Sequence, residues 1–378
     1  MPGLSISVTT PSEQLLTPLH RWQGVQFSTG PFGFASLTAF VALAWDMAFY
    51  LFDRPGLPTV VAQYNGALVW EGRLEDVSIT TGGVQLGAYG YWRGYQEVPL
   101  NRTWPSRTIR QMVQDIASDV NTVNSFMSSN TALIQDNGLT VAEVFEDVPA
   151  SQALTRLAQY GDNQTPPRLW EVGVWEDKVL HFRPRGDNSR AWYVDVTALT
   201  LDRTLETLWN SAYVVYRSAA GTRLVTATAN DQPAIDRYGL TRRAAISFDT
   251  QTLARAETVR DAFLNDQKDP QVMASIAFDR LYDAAGGRWP LFFARSGDTL
   301  TIRNLPSTSS VDVDRIRTFR IGETRYDADQ DVLAVTPEGP RLTPITPVAP
   351  QLIAVGLPPI APGGEPGAVV GGPPMPPF

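Results

Sequence analysis

Between Thr59 and Tyr91 the sequence alternates with period two, and no other stretch restricts the fold so tightly. Val60 to Tyr64 is rich in β-forming residues, Asn65-Gly66 is the pair that a two-residue hairpin demands, and Leu68, Trp70 and Leu74 follow at even spacing. Val77 and Ile79 carry the pattern to Gly82-Gly83, after which Val84, Leu86 and Ala88 resume it on one face. The spacing predicts four antiparallel strands, and so many in so short a span predict a sandwich or small barrel.

From Ser106 the period becomes helical. Ile109, Met112, Val113, Ile116, Ala117 and Val120 form one apolar face behind a Ser N-cap. A second helix is predicted to begin at Pro149 and Ser151, to carry Ala153, Leu154, Leu157 and Ala158, and to stop at Gly161. Trp170, Val172 and Val174 then face Val179 and Phe182 across a Glu176-Asp177-Lys178 turn. Strands return near Trp192, where Tyr213 to Tyr216 turns through Ala219-Ala220-Gly221 into Leu224 to Thr228. One helix, with Leu253, Ala256, Val259 and Phe263 as its stripe and Pro270 as its stop, crosses this region. Two further hairpins are expected, pairing Leu291–Arg295 with Leu300–Arg303 and Phe319–Tyr326 with Val332–Val335.

From Glu338 onward the composition shifts to Pro, Gly, Ala and Val, with only Glu338, Arg341 and Glu365 charged. Proline lacks the amide donor and fixes φ, so neither a helix nor a central strand is expected. Composition alone describes a disordered tail. The alternative is a polyproline-like arm laid along a neighbouring subunit, for which little chain entropy is left to lose. The second reading is adopted in the predicted organisation, which is mainly β with an α+β insert. It comprises a first β-barrel or sandwich domain over 1–104, the insert over 105–190, a second barrel with one crossing helix over 191–337, and an extended Pro-rich arm over 338–378.

Composition then removes whole classes of function. A chain of 378 residues is too long for one hydrophobic core. Its formal charge of −8 opposes a static grip on nucleic acid, but suits a conduit through which DNA passes without sticking. The absence of cysteine eliminates disulfides, thiolate nucleophiles and thiolate zinc sites, and fits folding in a reducing cytoplasm. Residues 1–10 lack a basic region followed by an apolar one, so no secretory signal is expected. The longest apolar stretch, Phe32 to Phe52, is interrupted by Gly33, Ser36 and Asp46, and is read as strands or a buried helix; no stable membrane insertion is expected.

Chemistry-bearing patterns are sparse. The only imidazoles, His20 and His181, lack an obvious nucleophile and orienting acid, and both are read as structural. Glu71, Glu75 and Asp76 are the paired-acid candidates, placed by the strand pattern at an exposed edge or turn where solvated carboxylates are ordinary. Asp327, Asp329, Asp331 and Glu338 imitate a calcium loop, but Val332 stands where that loop needs glycine; a polar hairpin turn is predicted, with cation binding left open. Gly82, Gly83, Gly87, Gly90 and Gly94 are not followed by Gly-Lys-Ser/Thr, and are expected at bulges or close backbone approaches. Trp92, Tyr95 and Trp104 are expected in a core or interface. No catalytic, cofactor-binding or metal residue is assigned, and no cofactor is expected.

Three stretches resemble the tail-hub family of bacteriophages and related injection machines, also called baseplate hub or tail-tip proteins. They are Val69 to Val77 with its Gly-Arg-Leu-Glu-Asp run; the Ser151–Tyr160 helix with the Trp170–Phe182 hairpin and Arg183-Pro184; and Trp209-Asn210, Tyr213–Tyr216 and Ile235–Leu240 leading into the Ala256–Leu264 helix. Together they cover most of residues 60–337 in order and texture. The resemblance implies a homotrimer in which two barrels per subunit form a pseudo-sixfold ring around a DNA channel. It also implies neighbours: a hexameric distal tail or tail-tube protein, a central fibre or spike, and the tape-measure protein, with DNA only in transit. Assembly in the host cytoplasm into the virion tail tip follows from the same resemblance. The competing reading is a cell-wall- or glycan-cleaving enzyme, needing two carboxylates roughly 5 to 9.5 Å apart in a cleft, or a glycan- or receptor-binding module with exposed aromatic platforms.

Overall fold

The computed structural model describes residues 4–9, 15–19, 22–42, 48, 58–164, 168–187, 189–206, 208–218, 220–250, 252–269, 271–305 and 317–339. His20, Ala219, Pro270, most of the second half of the Phe32–Phe52 stretch and residues 340–378 lie outside this description.

The first β region contains β1 (Leu4–Thr9), β2 (Leu15–Leu19), β3 (Trp22–Gly30), β4 (Gly33–Val41), β5 (Thr59–Tyr64), β6 (Ala67–Thr80) and β7 (Gly83–Tyr89). All pairings are antiparallel, in the spatial order β2-β1-β5-β6-β7-β4-β3. Asn65 and Gly66 both take positive φ, 49° and 83°, the geometry that matches hairpin twist. Residues 59–91 hold three strands where four were expected. β6 runs unbroken for 14 residues and absorbs a register shift between Leu74 and Asp76, so the Gly-Arg-Leu-Glu-Asp run is strand and not turn. Gly72 is needed there because a Cβ would meet the Tyr89 carbonyl at 2.4 Å and the Trp70 ring at 2.5 Å.

The α+β insert follows as α1 (Trp92–Gln96), β8 (Pro99–Thr108), α2 (Ile109–Val123), β9 (Thr140–Pro149), α3 (Ala150–Gln159), β10 (Trp170–Val174), a 3₁₀ turn at Glu176–Lys178 and β11 (Leu180–Pro184). Its own core gathers the predicted stripe of α2 with Leu154, Leu157 and Phe182, all buried. The N-cap of α2 is Thr108, whose hydroxyl accepts from the Gln111 amide at 3.3 Å. Ser106 is excluded from that role because β8 continues through it, paired with β9. Trp92, Tyr95 and Trp104 are buried in this core.

The remaining chain supplies β12 (Ala191–Val194), β13 (Ala198–Thr204), β14 (Ser211–Arg217), β15 (Arg223–Val225), β16 (Ala229–Asn230), α4 (Gln232–Tyr238), β17 (Arg243–Thr250), α5 (Leu253–Gln267) and β18 (Gln271–Phe278). It ends with β19 (Leu281–Tyr282), β20 (Arg288–Trp289), a 3₁₀ turn at Leu291–Phe293, β21 (Thr299–Ile302), β22 (Thr318–Asp327) and β23 (Val332–Pro337). Strands β14 to β17 form a separate small sheet, covered by α5, with a third core around Val214, Ile246 and Phe263. Two helices lie here where one was expected; α4 is set by its Asp231 cap, which accepts from the Ala234 amide, and by Gly239 at φ 66°. Leu291–Phe293 is a 3₁₀ turn and not the expected strand, which sends Leu291 and Phe292 into the core.

The other strands pair in the order β13-β18-β23-β22, and β22 also pairs with β21 and with β3. The two β regions therefore share one curled, mainly antiparallel ladder. They also share one continuous core, from Ile6 through Trp70 and Trp192 to Val335.

Candidate functional site

The seam between the two β regions is four register pairs long, Thr324↔Thr29 to Asp327↔Gln26. Thr29 and Thr324 are buried and share a 2.7 Å hydroxyl contact, and the Thr29 oxygen also accepts from the Ser296 amide at 2.9 Å. Beneath them Phe27, Tyr326, Phe292 and Tyr64 pack as an aromatic cluster with centroids 5.1 to 5.3 Å apart in successive pairs. Burial raises the Tyr326 hydroxyl pKa, with Asp331 beside it adding to the effect.

The insert meets the ladder at one parallel register pair, Val174↔Gly33. The Val174 amide donates to the Phe32 carbonyl at 2.9 Å. Gly33, at φ 121°, lies so close that a Cβ would stand 1.8 Å from the Val174 oxygen. Arg295 stacks over the Phe34 and Trp175 rings and pairs with Glu176.

Beside this joint lies a clasp of charged groups. Glu171 accepts from Arg183 at 2.9 Å and from Arg320 at 2.5 Å, while Glu338 is held by Arg185 and by Arg320, the latter at 3.2 Å. One arginine from β22 thus links the insert to the residue that follows β23. His181, which touches Arg183 at 3.2 Å, sits in the same place. Burial, and then the charge of Arg183, lower its pKa to about 4, so it is neutral near pH 7. Its environment is that of a packed strand histidine.

The acid candidates are distributed by the long β6 strand. Glu71 is buried and Glu75 pairs with Arg73 at 2.5 Å and with Arg93 at 3.0 Å; Arg73 also holds Glu97 at 2.6 Å. The expectation of an exposed edge fails for Glu71, because β6 has neighbours on both sides and the insert packs above it. Asp76 remains outside this cluster and accepts from the Tyr89 hydroxyl at 2.9 Å. Paired with arginines in this way, Glu75 and Glu97 lock the strand to α1 and its cap.

The aspartate run forms the β22–β23 turn. Asp327 accepts from Gln26 at 2.9 Å and from the Asp329 and Gln330 amides, Asp329 from the Gly24 amide at 2.8 Å, and Asp331 from the Tyr326 hydroxyl at 3.2 Å. Glu338, the fourth member of the imitation, belongs to the clasp. Among the described residues no group of three or more such side chains is placed to hold a metal ion. Of the glycine run, Gly90 shows the close approach most plainly, since a Cβ there would be 1.7 Å from the Phe34 oxygen.

A groove of about 760 Å³ lies at the seam, lined by residues of β3, β4, β22 and β23. Ser28, Ser36, Thr38 and Thr336 line it together with the charged Arg93, Glu323 and Arg325, and so do Phe32, Tyr89 and Trp92. Elsewhere, Leu224 and Val225 on β15 and Val144 on β9 are large apolar side chains left 39 to 53% exposed. No helix among the described residues is long and apolar enough to cross a membrane. Sequence reasoning missed the seam and the clasp, whose partners are up to about 300 residues apart and carry no local signal.

No protein-family model matches the sequence, and no curated protein is similar to it. Solved structures are. A 43 kDa tail protein of prophage MuSo2 from Shewanella oneidensis superimposes with a TM-score of 0.57 at 11% identity, over 90% of this chain and 98% of that one. A tail protein from Neisseria meningitidis MC58 gives 0.58 at 11% identity, over 89% and 98%. Prophage tail protein gp18 from Listeria monocytogenes EGD-e gives 0.53 at 13%, over 88% and 94%. The fold that the sequence resemblance implied is the fold found: this chain is built like phage tail proteins along nearly its whole described length.

Proposed function

We propose that the chain is a structural, non-enzymatic subunit of a phage tail tip or baseplate hub. Three copies form a ring in which two barrels per subunit give pseudo-sixfold symmetry. The ring joins the tail tube or distal tail protein to a central fibre or spike, contacts the tape-measure protein, and surrounds the channel through which DNA leaves. The observation that carries this reading is the shared β3–β22 ladder, which makes two curled β regions one rigid wall, together with the likeness to tail proteins. The proposed units are the first β region, the insert, the second β region and the Pro-rich arm, with the bounds given above. Nothing in this role requires side-chain chemistry; it requires large complementary surfaces and protected strand edges. The exposed apolar residues on β9 and β15 are suited to burial against neighbours.

An electron cryomicroscopy reconstruction of the intact tail tests this. The expected result is three copies around the tail axis next to the tube. Density for the chain away from that axis, or as a lone peripheral copy, overturns the proposal.

A further inference from the structure

We propose that the outer face of the small sheet binds the outer face of β9 in a second copy of this chain. The inference rests on the ring reading above and names two surfaces that meet between neighbouring copies. Along β14, Ala212, Val214 and Tyr216 belong to the third core under α5, so Tyr213, Val215 and Arg217 are turned to the opposite face. The register sets Val225 beside Val215 and Arg223 beside Arg217 on that outer face. Val225 is 53% exposed, and neither it nor Tyr213 or Val215 belongs to any of the three cores.

The charges on this face are out of balance. Arg217 and Arg223 are both exposed and stand directly opposite each other, an arrangement that is repulsive across a strand pair. Acids of the same unit are engaged elsewhere: Asp231 with Lys268, Asp261 with Arg260 and Asp269 with Arg237. Neither Arg217 nor Arg223 has an ion-pair partner among the described residues. β15 has β14 on one side and, among the described residues, no strand on the other. An open edge with large apolar side chains is one that native proteins cover. The half-buried Tyr213 and Val215 and the exposed Val225, rimmed by arginines, have the composition of a protein interface. A polyphosphate would leave the apolar residues without a counterpart.

The chain carries the complement. On β9, Glu143 and Phe145 are buried in the insert, while Ala142, Val144 and Glu146 are exposed on the other face. Val144 is 52% exposed and lies outside the cores. Glu146 has no ion-pair partner among the described residues, and the exposed Asp147 beside it accepts from the Asn101 side chain at 2.8 Å. One face thus presents valines with two arginines, the other a valine with two carboxylates. Joining them buries the valines and gives each arginine the counter-charge it lacks. Because the two faces are different, the contact is heterologous, the type that closes into a ring when the rotation per copy allows.

Charge exchange in the full-length chain tests this, with self-association followed by sedimentation velocity across a range of concentrations. Arg223→Glu and Glu146→Arg are each expected to weaken association about tenfold, and the double variant to regain most of the loss, since the charges are then swapped. Arg288→Glu, on exposed β20, changes the net charge equally and is expected to leave association intact. Single reversals without effect, a double variant no better than the singles, or a wild-type chain that does not self-associate each overturn the proposal. So does loss of duplex DNA binding in Arg223→Glu with association unchanged, which assigns the arginines to a polyanion. A trimer that survives the reversals sinks this contact alone; the tail-tip reading is decided separately by the tail reconstruction.

Discussion

Gly33→Ala isolates what the joint between insert and ladder contributes. Two costs arise. The first is conformational: at φ 121° an L side chain is strained, by about 1 to 2 kcal/mol. The second is contact: the new Cβ, 1.8 Å from the Val174 oxygen, forces β10 away. That motion breaks the bond from the Val174 amide to the Phe32 carbonyl, worth about 1 kcal/mol net, and disturbs the edge-on Phe34–Trp175 pair, worth about another 1 kcal/mol. Gly24→Ala supplies the control, since Gly24 has φ 59° and nothing within 4 Å of its would-be Cβ. Hydrogen exchange at the Val174 amide is the assay, because it reads the local opening free energy and needs no two-state assumption for a chain of several units. The contact cost of about 2 kcal/mol predicts exchange roughly 30-fold faster in Gly33→Ala than in Gly24→Ala. Equal exchange in the two variants would refute the claim that the insert is held by this approach.

His181 predicts a pH dependence. Its folded-state pKa is lowered to about 4 from 6.5, so between those values the unfolded chain binds the extra proton. The stability it supports is complete above pH 6.5 and is lost as pH falls toward 4; His181→Gln should flatten the thermal midpoint's slope between pH 6.5 and 5, and an unchanged slope would exclude the assignment. Arg320→Gln removes the shared cation of the clasp, leaving Glu171 to Arg183 and Glu338 to Arg185, for a loss of about 1 to 3 kcal/mol in chemical unfolding. Arg320→Lys, which cannot fork between two carboxylates, should recover no more than half of it. Calcium at millimolar levels should leave the melting temperature unchanged, because the Asp327, Asp329 and Asp331 carboxylates already accept protein donors; a rise of several degrees would show a cation site in the turn.

What the sequence made legible was local. Asn65-Gly66 forces a hairpin whatever surrounds it, and the α2 stripe from Ile109 to Val120 has a period only a helix satisfies. Readings failed where a distant contact decided. The Gly72–Asp76 run reads as an edge or turn because charges flank a glycine, yet it lies within β6, where Arg73 is held by Glu97 from beyond α1. Leu291–Phe293 is apolar enough for a strand, but Pro290 and the demand of the core for Phe292 make it a 3₁₀ turn. α4 was passed over because only Ala234 of its seven residues is buried, which leaves no stripe to detect. In the candidate site, Asp327 and Glu338 share a spacing that suggests one cation loop, and the fold sends them to different duties.

The seam and the insert joint differ in kind, and the difference bears on how a wall of this type carries load. Four register pairs and a common aromatic cluster bind β22 to β3, so rotating one β region against the other means breaking a ladder and opening a core. The insert shares a single register pair with the ladder and is otherwise tied to it largely by ion pairs, among them Arg73–Glu97, Arg93–Glu75, Arg295–Glu176 and the clasp. Ladder bonds are shielded and act together, whereas partly exposed ion pairs are individually weak and screened by salt. Rotation of the β regions against each other thus costs most at Thr29 and Thr324, where the ladder and the core are shared.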